Sequence, residues 1–123
     1  QLAKMMASRK EYAVSIQEIH HTQKKDAPSG TAITLAQQII AERDDKSEWT
    51  LDNSPQQNQI SITSTRTDPA PGTHHIIYSS PVDNIEITHT AHNRKGFAAG
   101  ALIAAEYIAG RKGIFTMEDV LKM

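Results

Sequence analysis

Apolar and polar positions change period along this chain, and the changes mark its elements. Tyr12-Ala-Val-Ser-Ile-Gln-Glu-Ile19 mixes Val14, Ile16 and Ile19 with short polar residues and predicts a first strand over residues 11–21. Ala32, Leu35, Ala36, Ile39 and Ile40 then recur at i, i+3, i+4, i+7 and i+8, one face of a helix over residues 29 to about 43. Asp26, Ser29 and Thr31 are each suited to cap its first turn, and Pro28 is compatible with a helix start. Residues 44–59 are polar and read as a surface connection, with a short extended piece around Trp49 and Leu51. Ile60-Ser-Ile-Thr-Ser-Thr-Arg-Thr67 alternates and is rich in β-formers, so it predicts strand two. Residues 74–79 predict strand three and residues 85–92 strand four. In strand four Ile85, Ile87, His89 and Ala91 share one face, and Glu86, Thr88, Thr90 and His92 the other.

Residues 2–8 form a helical stub, with Leu2, Met5 and Met6 on one side. Residues 97–109 are small and apolar nearly all round, which predicts a helix that is buried or wedged between subunits or domains. Gly110 suits its C-cap, and Thr116-x-x-Asp119 resembles a capping box for a short last helix. Short turns around Asp68-Pro-Ala-Pro-Gly72 and Pro81-Val-Asp-Asn84 predict that the last three strands form an antiparallel meander. Strand one reaches strand four or strand two through the helix, so one parallel pair is expected. The expected class is α+β: a mixed, mostly antiparallel four-stranded sheet with helices packed on one side.

Composition narrows the functions. A chain of 123 residues fits one domain and buries a real core. A net charge of −1 provides no field to recruit nucleic acid, and 5% aromatics provides few surfaces for base stacking. No apolar run approaches membrane-spanning length, so no membrane partner is expected. The absence of cysteine excludes disulfides and thiolate zinc sites and suits the cytoplasm.

The chemistry concentrates in Glu18-Ile-His-His-Thr-Gln-Lys-Lys-Asp-Ala-Pro-Ser-Gly-Thr-Ala32, at a strand–loop–helix joint. The first N–H groups of the helix lack internal partners and carry partial positive charge. Gly30 lets a ligand approach the backbone, while Ser29 and Thr31 add hydroxyls, so this is a seat for a carboxylate or phosphate. Histidine titrates near neutrality and suits a proton donor. A lone His-His pair in a loop is ordinarily solvated; the Pro-Ser-Gly-Thr that follows makes the functional reading the better one.

These residues resemble a known family. His20-His21-x-x-Lys24-x-Asp26-Ala27-Pro28-Ser29-Gly30-Thr31-Ala32 is similar to the signature of 4-hydroxy-tetrahydrodipicolinate reductase (dihydrodipicolinate reductase), of the diaminopimelate–lysine pathway. Arg66, Gly72 and His74 keep the family's Arg-x5-Gly-x-His spacing. Ile85-Glu-Ile-Thr-His-Thr-Ala-His-Asn-Arg94 with Phe97, Gly100 and Ala101, and the tail from Gly113 to Leu121, also look like family segments. Thr67-Asp-Pro-Ala-Pro71 departs from the Gly-Gly-Asp-like residues that many members carry after Arg66.

The resemblance implies that residues 1–123 are a single C-terminal substrate-binding and oligomerisation domain. No G-x-G-x-x-G follows a strand, so the family's N-terminal Rossmann domain is expected to be absent from this chain. NADPH or NADH would be bound by that missing domain, no cofactor-binding residue is assigned here, and this stretch alone is expected to be inactive. The implied substrate is a small cyclic dicarboxylate. His20 is the candidate proton donor, with Lys24 as second donor and stabiliser; His21, Ser29, Gly30 and Thr31 are the candidate substrate-binding residues. No metal site is expected, because His89 and His92 face opposite sides of a strand. His74 and His89 suit polar contacts in the sheet or at an interface; Arg94 suits either a domain-interface or carboxylate-binding residue or a solvated arginine after a strand, and His75 and His92 receive no role. The family forms homotetramers through this domain's sheet. The alternatives are a domain mainly for assembly, and a free-standing dicarboxylate-binding module.

Overall fold

The computed structural model describes residues 1–122 and divides into two compact units, residues 1–90 and residues 91 onward. In the first, α1 (Leu2–Met5) precedes β1 (Ala13–His20), α2 (Gly30–Glu42), β2 (Glu48–Thr50), β3 (Gln59–Arg66), β4 (Gly72–Ser79) and β5 (Asn84–Ala91, its last residue in the second unit). The strands form one sheet in the order β2-β3-β1-β4-β5.

The α+β class and the mixed sheet agree with the sequence expectation; the strand count and neighbours differ. The extended piece at Trp49 is a fifth strand, pairing parallel to β3 with Trp49 opposite Ile60. β3 and β4 are not neighbours, so the expected meander does not form. The α2 crossover leads into β2 at the sheet edge, and the chain then returns as β3 between β2 and β1, parallel to both. β4 then pairs antiparallel on the other edge of β1. The connection over residues 67–71 passes the end of β1, where the Thr67 N–H donates to the His20 carbonyl at 2.9 Å.

Register decides which side chains meet. Ile16 lies opposite both Ile62 and Ile76, and Val14 opposite Tyr78. With Ile60, these residues form the apolar half of one sheet face, and α2 covers it with Ala32, Ala36 and Ile39. The same parity continues past the core: Glu18 lies opposite Ser64 and His74, and His20 opposite Arg66. One sheet face is therefore apolar at one end and polar at the other.

At the far end of α2, Arg43 is 1% exposed. Its guanidinium donates to both Asp45 oxygens at 2.8 and 2.6 Å and to the Tyr12 and Arg9 carbonyls at 3.1 and 3.4 Å, so the buried charge is paired.

The second unit holds α3 (Lys95–Ile108) and α4 (Met117–Leu121). The expectation that α3 is buried does not hold within this chain: Phe97, Leu102, Ile103 and Ile108 are each about half exposed or more. Gly110 follows the helix end at φ +73°, the conformation that makes glycine the usual stop signal there. The Thr116 N–H donates to the Asp119 carboxylate at 2.6 Å, the acidic half of the expected capping box.

Ile16 is fully buried between Ile62 and Ile76. Ile16→Ala should cost about 2–5 kcal/mol of stability. Urea unfolding followed by circular dichroism checks this; a loss well under 1 kcal/mol would show that the site collapses around the missing atoms.

Candidate functional site

The polar end of the sheet is built on Glu18, which is 0% exposed. A carboxylate there needs its oxygens filled, and the fold fills them. Arg66 donates from Nη1 to Oε2 and from Nη2 to Oε1, both at 2.9 Å, a two-pronged pair between neighbouring strands. The Ser29 N–H donates to Oε1 at 3.1 Å, and His20 Nδ1 hydrogen-bonds Oε2. Burial by itself raises the Glu18 pKa, but the hydrogen bonds from Arg66 and His20, with the Ser29 N–H, outweigh it and bring it down to about 2. Glu18 is thus an anion at neutral pH.

Arg66 also gathers the loop. Its Nη2 donates to the Asp26 carbonyl at 2.6 Å and its Nε to the Lys24 carbonyl at 3.3 Å. The Lys24 ammonium pairs with Asp26 Oδ2 at 2.8 Å, and this contact, first among its causes, holds the Asp26 carboxyl below its usual range.

Ser29 is the residue that caps α2: its Oγ accepts from the Ala32 N–H at 3.2 Å. The same oxygen lies 3.0 Å from His74 Nε2, and Ser29 is 2% exposed. His74 also meets His20 edge-on, with ring centroids 5.1 Å apart at 68°. Burial, and then the charge of His20, hold the His74 pKa below its usual value, which favours the neutral ring. Gly72 lies close against the His20 ring: a Cβ there would stand 3.1 Å from His20 Nε2, tighter than an ordinary van der Waals contact.

His20, Ser29 and the start of α2 therefore come together. Gly30 and Thr31 are exposed at the first turn, where helix geometry leaves their N–H groups without intrahelical acceptors, and nothing lies within 4 Å of a Cβ built on Gly30. Lys24 lies on the loop tied to Arg66, with its side chain 23% exposed. His21 is half-buried just past β1, beside Thr22, whose hydroxyl and N–H donate to the Asp68 carboxylate and hold its pKa below the usual range. His75 contacts Glu86 at 3.0 Å on the opposite sheet face. No group of three or more metal-ligating side chains converges among the described residues.

Three residues of the cluster had no site role from sequence: Glu18, Arg66 and His74. Each carries the same signal. It sits on the strand parity of the buried isoleucines, so a polar side chain there is directed into the protein.

The Glu18 carboxyl moves from an ordinary 4.5 to about 2 on folding. Its contribution is therefore complete above pH 4.5 and is lost as pH falls toward 2, about 3 kcal/mol in all. Glu18→Gln should flatten the acid limb of a stability–pH profile across that window; an unchanged limb would show that Glu18 is not held as a buried anion.

The comparisons agree with this architecture. A family model described as "Dihydrodipicolinate reductase, C-terminus" matches residues 1–121. The chain is 53% identical over 120 residues to the 4-hydroxy-tetrahydrodipicolinate reductase of Christiangramia forsetii, covering 98% of this chain and 50% of that protein. It is 38% identical over 134 residues to the enzyme of the same name from Lawsonia intracellularis, again covering 98% and 50%. The solved structure "Dipicolinate bound Dihydrodipicolinate reductase from Paenisporosarcina sp. TG-14" aligns with a TM-score of 0.63 at 28% identity, over 83% of this chain and 41% of that one. The chain thus spans about half the length of the curated relatives it matches. On the strength of the match over residues 1–121 and of these relatives, the chain belongs to the dihydrodipicolinate reductase family and corresponds to its C-terminal part.

Proposed function

We propose that this chain is the substrate-binding part of a NAD(P)H-dependent reductase of diaminopimelate and lysine biosynthesis, converting 4-hydroxy-tetrahydrodipicolinate to tetrahydrodipicolinate. The observation that carries the reading is the fastening of the α2 start to the carboxylate that also holds His20: Ser29 N–H and His20 Nδ1 both bond Glu18. A proton carrier and a row of exposed helix-start amides are thereby fixed to one another. That pairing suits a small ring bearing carboxylates, which needs an anion seat and a proton in the same place.

In this reading one ring carboxylate rests on the Gly30 and Thr31 N–H groups and the Thr31 hydroxyl. Ser29 contributes mainly by setting the helix start, since its Oγ is already engaged by Ala32 and His74. Lys24 serves the ring or its second carboxylate by exchanging Asp26 for substrate, and His21 helps to hold the ring or that carboxylate. The 4-hydroxyl leaves as water, giving the dehydrated, conjugated ring; a reduced nicotinamide on a separate nucleotide domain would supply the hydride, and His20 delivers the proton to the ring position that takes up the displaced electron pair, with Lys24 as second donor. Such a pathway belongs in the cytoplasm. The bound dipicolinate named for the Paenisporosarcina enzyme is a ligand of the expected kind.

Titrating pyridine-2,6-dicarboxylate into the ¹⁵N-labelled chain should shift the Gly30 and Thr31 amide resonances first, and the chain alone should not oxidise NADPH or NADH. Shifts confined to other parts of the chain would remove the anion seat. In a reductase that joins this chain to its nucleotide domain, His20→Ala or Lys24→Ala should lower kcat by about 10²- to 10⁴-fold. Normal turnover by His20→Ala at every pH would falsify its role.

A second role, compatible with the first, is assembly into a homotetramer. Gln17, Thr63 and Thr65 are exposed and Ile19 and Ile77 half-buried on the sheet face opposite α2, a broad strand surface suited to packing against a copy of itself. Sedimentation should give a mass near four chains; a monomer at high concentration would exclude this role.

A further inference from the structure

We propose that Glu18, locked by Arg66, is a positioning residue that holds the His20 ring as the Nδ1–H tautomer and so assigns the exchangeable proton to Nε2. The inference rests on the reading of His20 as proton donor and deepens it.

An ionised carboxylate only accepts hydrogen bonds. The Nδ1···Oε2 contact therefore places a hydrogen on Nδ1 whether the ring is neutral or charged, and in the neutral ring Nε2 keeps its lone pair. Glu18 cannot turn to follow the imidazole. Both its oxygens are taken by Arg66 at 2.9 Å, and Oε1 also by the Ser29 N–H at 3.1 Å. Arg66 is in turn fixed by the Lys24 and Asp26 carbonyls.

The other edge of the ring points to the same assignment. Glycine at position 72 leaves empty the volume that a Cβ would occupy 3.1 Å from Nε2, while the His74 ring, 5.1 Å away and edge-on, limits rotation on a third side. One nitrogen is thus bound to the protein, and in a ring that is 9% exposed we assign the other to a ligand. In the proton-transfer step the Nε2–H bond breaks, its electron pair stays on Nε2 and the proton passes to the ring position that receives the hydride's displaced electrons. The neutral Nδ1–H ring remains, and a proton from water restores the cation. No side chain has to move.

The test reads the tautomer directly. In the ¹⁵N-labelled chain, well above neutral pH, long-range ¹H–¹⁵N correlation should show His20 Nδ1 as the protonated nitrogen and Nε2 as the unprotonated one. Glu18→Gln should shift that ring toward a mixture of tautomers. A wild-type Nε2–H ring, or the averaged mixture of a solvated histidine, overturns the proposal, and this arm needs no variant to fold. In the joined reductase, Glu18→Gln should lower kcat by about 10²-fold or more with KM changed far less, the pattern of a misplaced proton in place of a lost binding contact. Unchanged kcat in a folded Glu18→Gln enzyme overturns it as well. Failure of the underlying reading looks different: His20→Ala would keep its turnover while the wild-type ring still showed the Nδ1–H form.

Discussion

The ion pair between Glu18 and Arg66 is the constraint on which the polar end of this fold depends. A carboxylate with no solvent contact would cost several kcal/mol if left unpaired, and removing one member of such a pair commonly costs about 3–5 kcal/mol. Here the cost is offset by geometry in place of proximity alone. Two parallel guanidinium bonds, one backbone N–H and one imidazole nitrogen share the two carboxylate oxygens. Each of those donors belongs to a different piece of the protein: β3, the helix start and the end of β1. Arg66 then reaches over to two loop carbonyls. The pair therefore sets the positions of groups that sequence separates by up to 48 residues.

The location of this pair follows from topology. β1 and β3 run parallel, so their last residues, His20 and Arg66, lie at the same edge of the sheet, where α2 begins. Carboxyl ends of parallel strands followed by helix N-termini are where α/β architectures collect ligands, because free amides and strand-end side chains converge there. The antiparallel β4 contributes its beginning to the same edge, which brings in Gly72 and His74. The apolar half of the face lies further from that edge and supplies rigidity: Ile16, Ile60 and Ile62 are fully buried under Ala32 and Ala36. A site seated on strand ends and a capped helix is held more tightly than one carried on a loop.

Much of this is legible in the sequence. The apolar spacing of α2 named its buried residues, and the Ser29 cap was among the three candidates. The alternation of β1 and β3 marked the positions that turned out to be both core and site, yet Glu18 and Arg66 were not recognised as a pair. Parity shows that a charged residue faces inward, but it does not show which opposite charge it meets; that requires strand neighbours. The neighbours were misjudged because a short connection between β3 and β4 looked like a hairpin. Thr67-Asp-Pro-Ala-Pro71 instead carries the chain past the end of β1. Local turn chemistry cannot show that a third strand already occupies the intervening place. For the apolar α3, all-round hydrophobicity indicates that a surface is to be covered, without saying that the same chain covers it.

The cations near the cluster divide into two kinds, and the division bears on how an anion is held. Arg66 is committed: both prongs of its guanidinium are spent on a fully buried carboxylate, and withdrawing them would strand that charge. Lys24 is paired with Asp26, whose side chain is 59% exposed, and an exposed ion pair contributes about 0–1 kcal/mol. Exchanging Asp26 for a ligand carboxylate therefore costs Lys24 little, whereas Arg66 cannot be recruited without dismantling the sheet edge. Charge alone ranks the two residues as equals, and the planar fork of the guanidinium would favour arginine as the carboxylate partner. Burial reverses the order: the arginine is spent on holding the strand ends and the loop together, while Lys24 keeps a partner that is itself largely in solvent.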